Sequence, residues 1–130
     1  MIYLASPYSH TDQAIEIQRF DAVCQAAATL MMRGVNIFSP IAHSHAIARF
    51  GLPTDWAYWQ HYDRAFIAWC DELWVLTLPG WKQSVGVLAE VRIAEEAGKP
   101  VRLIDSADVA LGAIVETAPT EAGAVDEVQV

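Results

Sequence analysis

Glu72-Leu73-Trp74-Val75-Leu76-Thr77-Leu78, then Pro79-Gly80, then Gln83-Ser84-Val85-Gly86-Val87-Leu88-Ala89-Glu90: this passage sets the topology of the chain. The first run is short, apolar and bounded by polar residues, the pattern of a buried strand over 72–78. Pro79-Gly80 breaks it. Ser84 is a good N-cap, so a helix is expected from Val85 to Ala97. Gly98 suits the C′ position, and Pro100 forbids continuation. At about 100° per residue, Glu90 shares a side with Gly86, Ile93, Ala94 and Ala97, while Arg92, Glu95 and Glu96 fall opposite. Glu90 is thus a lone carboxylate on a small, apolar face, and a desolvated carboxylate needs a partner or a task. The pattern leaves two readings open. One is a functional group above the space left by Gly86. The other is a structural carboxylate, either bonded to a core Tyr or Trp or exposed at the helix start.

Toward the N-terminus, Ile2-Tyr3-Leu4-Ala5 is a short apolar run ended by Ser6-Pro7, and it reads as the first and central strand. Thr11 and Asp12 start a helix in which Ile17, Phe20, Cys24, Ala27 and Met31 recur at helical spacing, closed by Gly34. Val35-Asn36-Ile37-Phe38 is a second strand, stopped by Ser39-Pro40. Strand, long helix, strand in this spacing is a βαβ unit with parallel strands. A short helix is expected over 42–50, a break at Gly51-Leu52-Pro53, and an aromatic helix over 56–69 capped by Thr54 or Asp55. Beyond the Glu90 helix come a strand at Val101-Arg102-Leu103-Ile104 and a terminal helix over 106–115. The expectation is a single three-layer α/β domain over 1–115, flavodoxin-like or Rossmann-like, with four or five mostly parallel strands. An acidic tail over 116–130 is expected to be mobile or to dock on a neighbour.

The 130 residues are 54% apolar, and the net charge is −8. One domain with a real core follows, and a broad nucleic-acid surface does not. No apolar run is long enough to span a membrane. Met1–Ala5 lacks the basic and cleavage-site pattern of a signal peptide, and Cys24 and Cys70 fit no metal spacing, so a cytoplasmic protein with free thiols is expected.

In parallel sheets, ligands bind beyond the carboxyl ends of the strands. Those ends are Ser6-Pro7-Tyr8, Ser39-Pro40 and Leu78-Pro79-Gly80, with the Ser84–Glu90 turn beside them. Asp63, in Tyr62-Asp63-Arg64, can pair with Glu90 as the second carboxyl group of a glycosyl transfer. Its alternative is a salt bridge to Arg64 or Arg19. Asp71 reads as a cap at the strand entrance. His43-Ser44-His45 lacks a further ligand at metal spacing, so no metal is expected, and contact of His43 with substrate is the better reading. Trp81, in a Pro-Gly-Trp-Lys loop, is the best aromatic for a ligand ring. No G-x-G-x-x-G or P-loop lysine motif is present, and no cofactor is expected.

Together these residues resemble the nucleoside 2-deoxyribosyltransferase family. The likeness runs through ordered blocks over roughly residues 1 to 104: Tyr3 in the first strand, Asp63, Asp71 at a strand entrance, then Ser84-x-Gly86-x-x-x-Glu90 and Gly98-Lys99-Pro100. An uncharacterised branch shares Ser-Pro-Tyr-Ser and Ser-Pro-Ile-Ala-His-Ser-His. The resemblance implies that Glu90 attacks the anomeric carbon, Tyr3 orients Glu90, and Asp63 manages the proton of the departing base. It also implies a homo-oligomer, for which the aromatic helix 56–69 offers apolar surface. Ser84 matches the branch that hydrolyses deoxynucleoside monophosphates, where a serine helps hold the 5′-phosphate. The loop Pro7-Tyr8-Ser9-His10 lacks the arginine of that branch.

The expected activity is therefore cleavage or transfer of the N-glycosidic bond of a nucleoside or its 5′-monophosphate. A non-catalytic nucleotide-binding module and a metal-dependent hydrolase are the alternatives. Ser84 stands about 9 Å along the helix axis from Glu90, similar to the span from a 5′-phosphate to the anomeric carbon. On that basis the monophosphate is expected to be the better substrate. Ser6, Pro7, Tyr8, His43, Ser84, Gly86 and Trp81 are the expected substrate contacts.

Overall fold

The computed structural model describes residues 1–112. The expected end of the last helix, through 115, and the tail 116–130 lie outside the described residues. The elements are β1 (Ile2–Ala5), α1 (Gln13–Met32), β2 (Ile37–Phe38), α2 (Pro40–Ala48), α3 (Trp56–Trp69), β3 (Glu72–Leu76), a 3₁₀ turn (Trp81–Gln83), α4 (Val85–Glu96), β4 (Val101–Ile104) and α5 (Ser106–Leu111). The four strands are all parallel, in the order β2-β1-β3-β4.

Alternation along the strands builds two cores, one on each face of the sheet. Leu4, Trp74, Leu76 and Ile104 pack under Val23, Ala27 and Leu30 of α1 and Val109 of α5. Tyr3, Ala5, Leu73, Val75 and Val101 pack under Ile67 of α3 and Val87, Val91 and Ala94 of α4. This is the three-layer flavodoxin-like or Rossmann-like architecture. β1 feeds α1 on one face, and its neighbour β3 feeds α4 on the other. The loops after β1 and β3 therefore diverge and leave a crevice at their carboxyl ends, the topological switch point.

Capping fixes the helices that border this crevice. Asp12 accepts from Ala14 N–H at 2.9 Å, Ser39 from Ala42 N–H at 3.0 Å, and Ser84 from Val87 N–H at 3.2 Å. Gly98, at φ +73°, ends α4. The next residue, Lys99, donates to the carbonyls of Ile67, Ala68 and Cys70 at 2.7, 2.9 and 2.6 Å, closing the end of α3.

Some expected boundaries shift. Pro40 occupies the first turn of α2, where its missing N–H costs nothing, so this helix starts two residues early and β2 keeps only Ile37 and Phe38. β3 ends at Leu76, and Thr77 turns its hydroxyl to the Ile104 carbonyl at 3.0 Å. On α1 the buried residues are Val23, Ala26, Ala27 and Leu30, whereas Ile17 and Met31 are half exposed. The small Ala26 and Ala27 let the helix approach the sheet, which rotates the inward face away from the expected stripe. On α4, Ala97 is exposed, and Val87 and Val91 join Glu90 and Ala94 inside.

Candidate functional site

Glu90 is only 5% exposed. α4 carries it, and α3 packs along α4 and brings Asp63 beside it. Tyr3, wholly buried on β1, donates its hydroxyl proton to Glu90 Oε2. Asp63 stands close enough to Glu90 and Tyr3 for both to act on its carboxyl group. Three residues far apart in sequence thus form one cluster under the crevice. Asp63 makes this contact rather than a salt bridge to Arg64 or Arg19. Arg19 is engaged elsewhere: it donates to the carbonyls of Tyr8, Ser9 and Pro79 at 3.3, 2.9 and 3.2 Å, tying the loop after β1 to the loop after β3. Gly80, at φ +91°, lies under that guanidinium. A Cβ there would come within 2.6 Å of Arg19 Nη2.

Burial is the main force on the protons of this cluster. It pushes Glu90 well above the usual carboxylate range, and the charge of Asp63 pushes it further, against the opposing hydrogen bond from Tyr3. Burial also raises Asp63, while its bonds to Glu90 and Tyr3 hold it down. Tyr3 is driven well above 10 by burial and by the two acids, so its phenol stays a donor. Two carboxyl groups this close share a proton and titrate as a pair. One of them is then an acid and the other an anion.

The cluster lies against a cavity of about 530 Å³, of the size used for small-molecule ligands. Of the expected contacts, Ser6, Tyr8, Ser84 and Gly86 line it, together with Asp63 and Glu90. A methyl group at Gly86 would meet nothing nearer than Ser84 Oγ at 4.0 Å, so the glycine leaves open space. The Ser6 hydroxyl is buried and has no hydrogen-bond partner among the described residues.

Three expected contacts fall elsewhere. Pro7 is buried outside the cavity wall. His43 is exposed and packs against Phe38 and Phe66, because a helix turns residues 43 and 45 to different sides. Trp81 packs partly buried against the core under α3 and α4, held there by the 3₁₀ turn. Asp71 is exposed and accepts from the amino group of Met1 at 2.8 Å, remote from the cavity.

The structure adds His45, Glu16, Trp56 and Trp59 to the wall. Ile41, Ser44, His45 and Ala48 all line it, at the i, i+3, i+4, i+7 spacing of one helix face. Reading 40–48 by that period, rather than as His-x-His, identifies His45. Among the described residues, no group of three or more His, Cys, Asp or Glu side chains is placed to hold a metal ion. Nor is any helix among them long and apolar enough to cross a membrane.

Fold and site together define an α/β protein with a parallel four-stranded sheet and, at its switch point, a carboxyl pair of buried Glu90 and half-buried Asp63. A family model described as "Domain of unknown function (DUF1937)" matches residues 1–106, and the chain belongs to that family. The matched span includes every residue of the cluster and of the cavity wall. No curated protein matches the chain.

Proposed function

We propose that this protein cleaves or transfers the N-glycosidic bond of a nucleoside. The observation that carries the reading is the Tyr3–Glu90–Asp63 cluster, two neighbouring acids and a tyrosine hydroxyl beside a cavity of nucleoside size. The likeness to the nucleoside 2-deoxyribosyltransferases supports it, because that family places its nucleophile, orienting tyrosine and proton-handling acid at these positions.

The chemistry follows from the shared proton. With the proton on Asp63, Glu90 is the anion, and the Tyr3 hydroxyl holds one of its oxygens. Glu90 attacks the anomeric carbon, the C–N bond breaks, and its electron pair goes to the base. Asp63 gives its proton to that base. The glycosyl ester on Glu90 is then opened by water or by a second base, whose proton returns to Asp63. Water makes the enzyme a hydrolase and a base makes it a transferase.

Ser84 and the first-turn N–H groups of α4 favour a 5′-phosphate. The charge around the cavity argues the other way. Glu16, Asp55, Asp63 and Glu90 line it, and no Lys or Arg does so among the described residues. A dianionic phosphate is repelled by that wall, so the nucleoside takes precedence over the monophosphate in this reading, the reverse of the expectation from Ser84 alone. Self-association belongs to the same reading, since Tyr62 on α3 and Val85 and Leu88 on α4 are exposed along adjoining helices. Light scattering at micromolar concentration tests it. The activity itself is tested by incubating the protein with a panel of nucleosides and nucleotides and measuring free base by chromatography.

A further inference from the structure

His45 is a polar residue of the cavity wall to which the proposed chemistry gives no task. Tyr8 Oη lies 2.6 Å from His45 Nδ1. The His45 ring stacks on Phe20, 3.9 Å between centroids and 21° between planes, and Tyr8 meets its edge at 5.7 Å and 88°. Phe20 belongs to α1, Tyr8 to the loop after β1 and His45 to α2, so three elements immobilise one imidazole. Arg19 holds the Tyr8 loop in turn. The second ring nitrogen, Nε2, makes no hydrogen bond among the described residues, and His45 lines the cavity.

The bond to Tyr8 ties the tautomer of His45 to which of the two groups donates. Burial and the Glu16 carboxylate raise the Tyr8 phenol, which keeps it protonated. With the phenol as donor, Nδ1 accepts and Nε2 carries the hydrogen, the arrangement on which the proposal below depends. His45 therefore offers a fixed donor to whatever fills the cavity. A carboxylate stands close by, because Glu16 lines the same cavity and raises Tyr8. That combination suits a neutral heterocycle better than an anion. The buried, unpartnered hydroxyl of Ser6 in the same cavity independently marks a place for a polar ligand atom.

We infer that His45 reads the leaving base, its Nε2–H donating to a ring nitrogen or carbonyl oxygen of a nucleobase, with Tyr8 as the positioning residue that fixes the tautomer. This inference rests on the N-glycosidic reading above and names the residue that sets base preference within it.

The test combines NMR with variants. In the free protein, ring ¹⁵N shifts of His45 should show hydrogen on Nε2, and adding a free base such as hypoxanthine or adenine at millimolar concentration should move the Nε2 resonance. His45→Gln keeps an amide donor near the Nε2 position, whereas His45→Asn places its amide nearer Nδ1. One hydrogen bond is worth about a three- to ten-fold change. His45→Asn should thus weaken base binding and raise KM about that much, with kcat less affected, and His45→Gln should recover most of the loss. Tyr8→Phe should broaden the ring signals as both tautomers become populated, with fold checked by circular dichroism. Hydrogen on Nδ1 in the wild type overturns the inference. So does base release with KM and base preference unchanged in His45→Asn, an outcome that leaves the proposed activity standing. A wild-type protein that neither binds a base nor releases one from any nucleoside removes both.

Discussion

The hydroxyl of Tyr3 donates to a carboxyl oxygen of Glu90, a residue 87 positions further along the chain. The contact crosses from the central strand to α4. It pins an acid that burial drives toward its neutral form. Tyr3→Phe removes the donor and leaves the ring's packing intact. The expected result is a kcat about 10- to 100-fold lower with KM little changed, since the hydrogen bond that orients the attacking carboxylate is lost. Steady-state kinetics with the best nucleoside checks this. A change confined to KM would assign Tyr3 to substrate binding instead.

The carboxyl pair should give a bell-shaped pH profile. Activity needs one proton on the pair. It falls at low pH as the second carboxylate is protonated, and at high pH as the shared proton leaves. Both groups are raised by burial, so the alkaline limb should lie above the ordinary carboxylate range. A profile of kcat/KM against pH reads it directly, and a single limb with no alkaline fall would refute the shared proton.

The same pair makes stability depend on pH. An unfolded glutamate titrates at about 4.3. The folded Glu90 holds its proton well above that value, so between the two the native state binds more protons than the unfolded chain. Stability therefore falls as pH rises through this window, by about 1.4 kcal/mol per unit of pKa difference. Glu90→Gln removes the titration and keeps the shape. Its melting temperature should exceed that of the wild type at alkaline pH, with the gap closing as pH falls toward the unfolded glutamate's value. A gap that is constant with pH would contradict the raised pKa.

The acidic wall predicts that a deoxynucleoside is turned over better than its 5′-monophosphate, and that high salt narrows the difference. Ser84→Ala should cost some stability, about 1 kcal/mol, because Ser84 caps α4 through Val87 N–H. Competition assays with the two substrates decide the point. A faster monophosphate reaction that Ser84→Ala selectively weakens would restore the phosphate site at this helix.

Lys99 offers a check on the frame. Its ammonium satisfies three carbonyls at the end of α3, the helix that carries Asp63. Lys99→Met should lower stability by about 2–3 kcal/mol in urea denaturation, as the carbonyls lose a charged donor. An unchanged midpoint would show that water replaces it freely.

Much of this was legible in the chain because it is local. β1, α3 and β4 lie where their patterns place them, and Ser84 caps α4 as its position before an apolar helix implies. The isolation of Glu90 on its helix face was readable at 3.6-residue spacing. Its partners were not. Tyr3 and Asp63 reach it only through the sheet order and the packing of α3 on α4, which no short-range pattern encodes; the chemistry of glycosyl transfer names Asp63 as a candidate second acid, and the family resemblance adds Tyr3. Trp81 was misplaced because a 3₁₀ turn, invisible in composition, folds it into the core. His45 was passed over for His43 because the side of a short helix that faces the cavity depends on where Pro40 starts it.

The most direct measurement is base release by Glu90→Ala against the wild type, with the nucleoside that the panel selects. The account predicts a folded variant whose rate is lower by several orders of magnitude, since the nucleophile is gone. A folded Glu90→Ala protein that releases base at near the wild-type rate would contradict it.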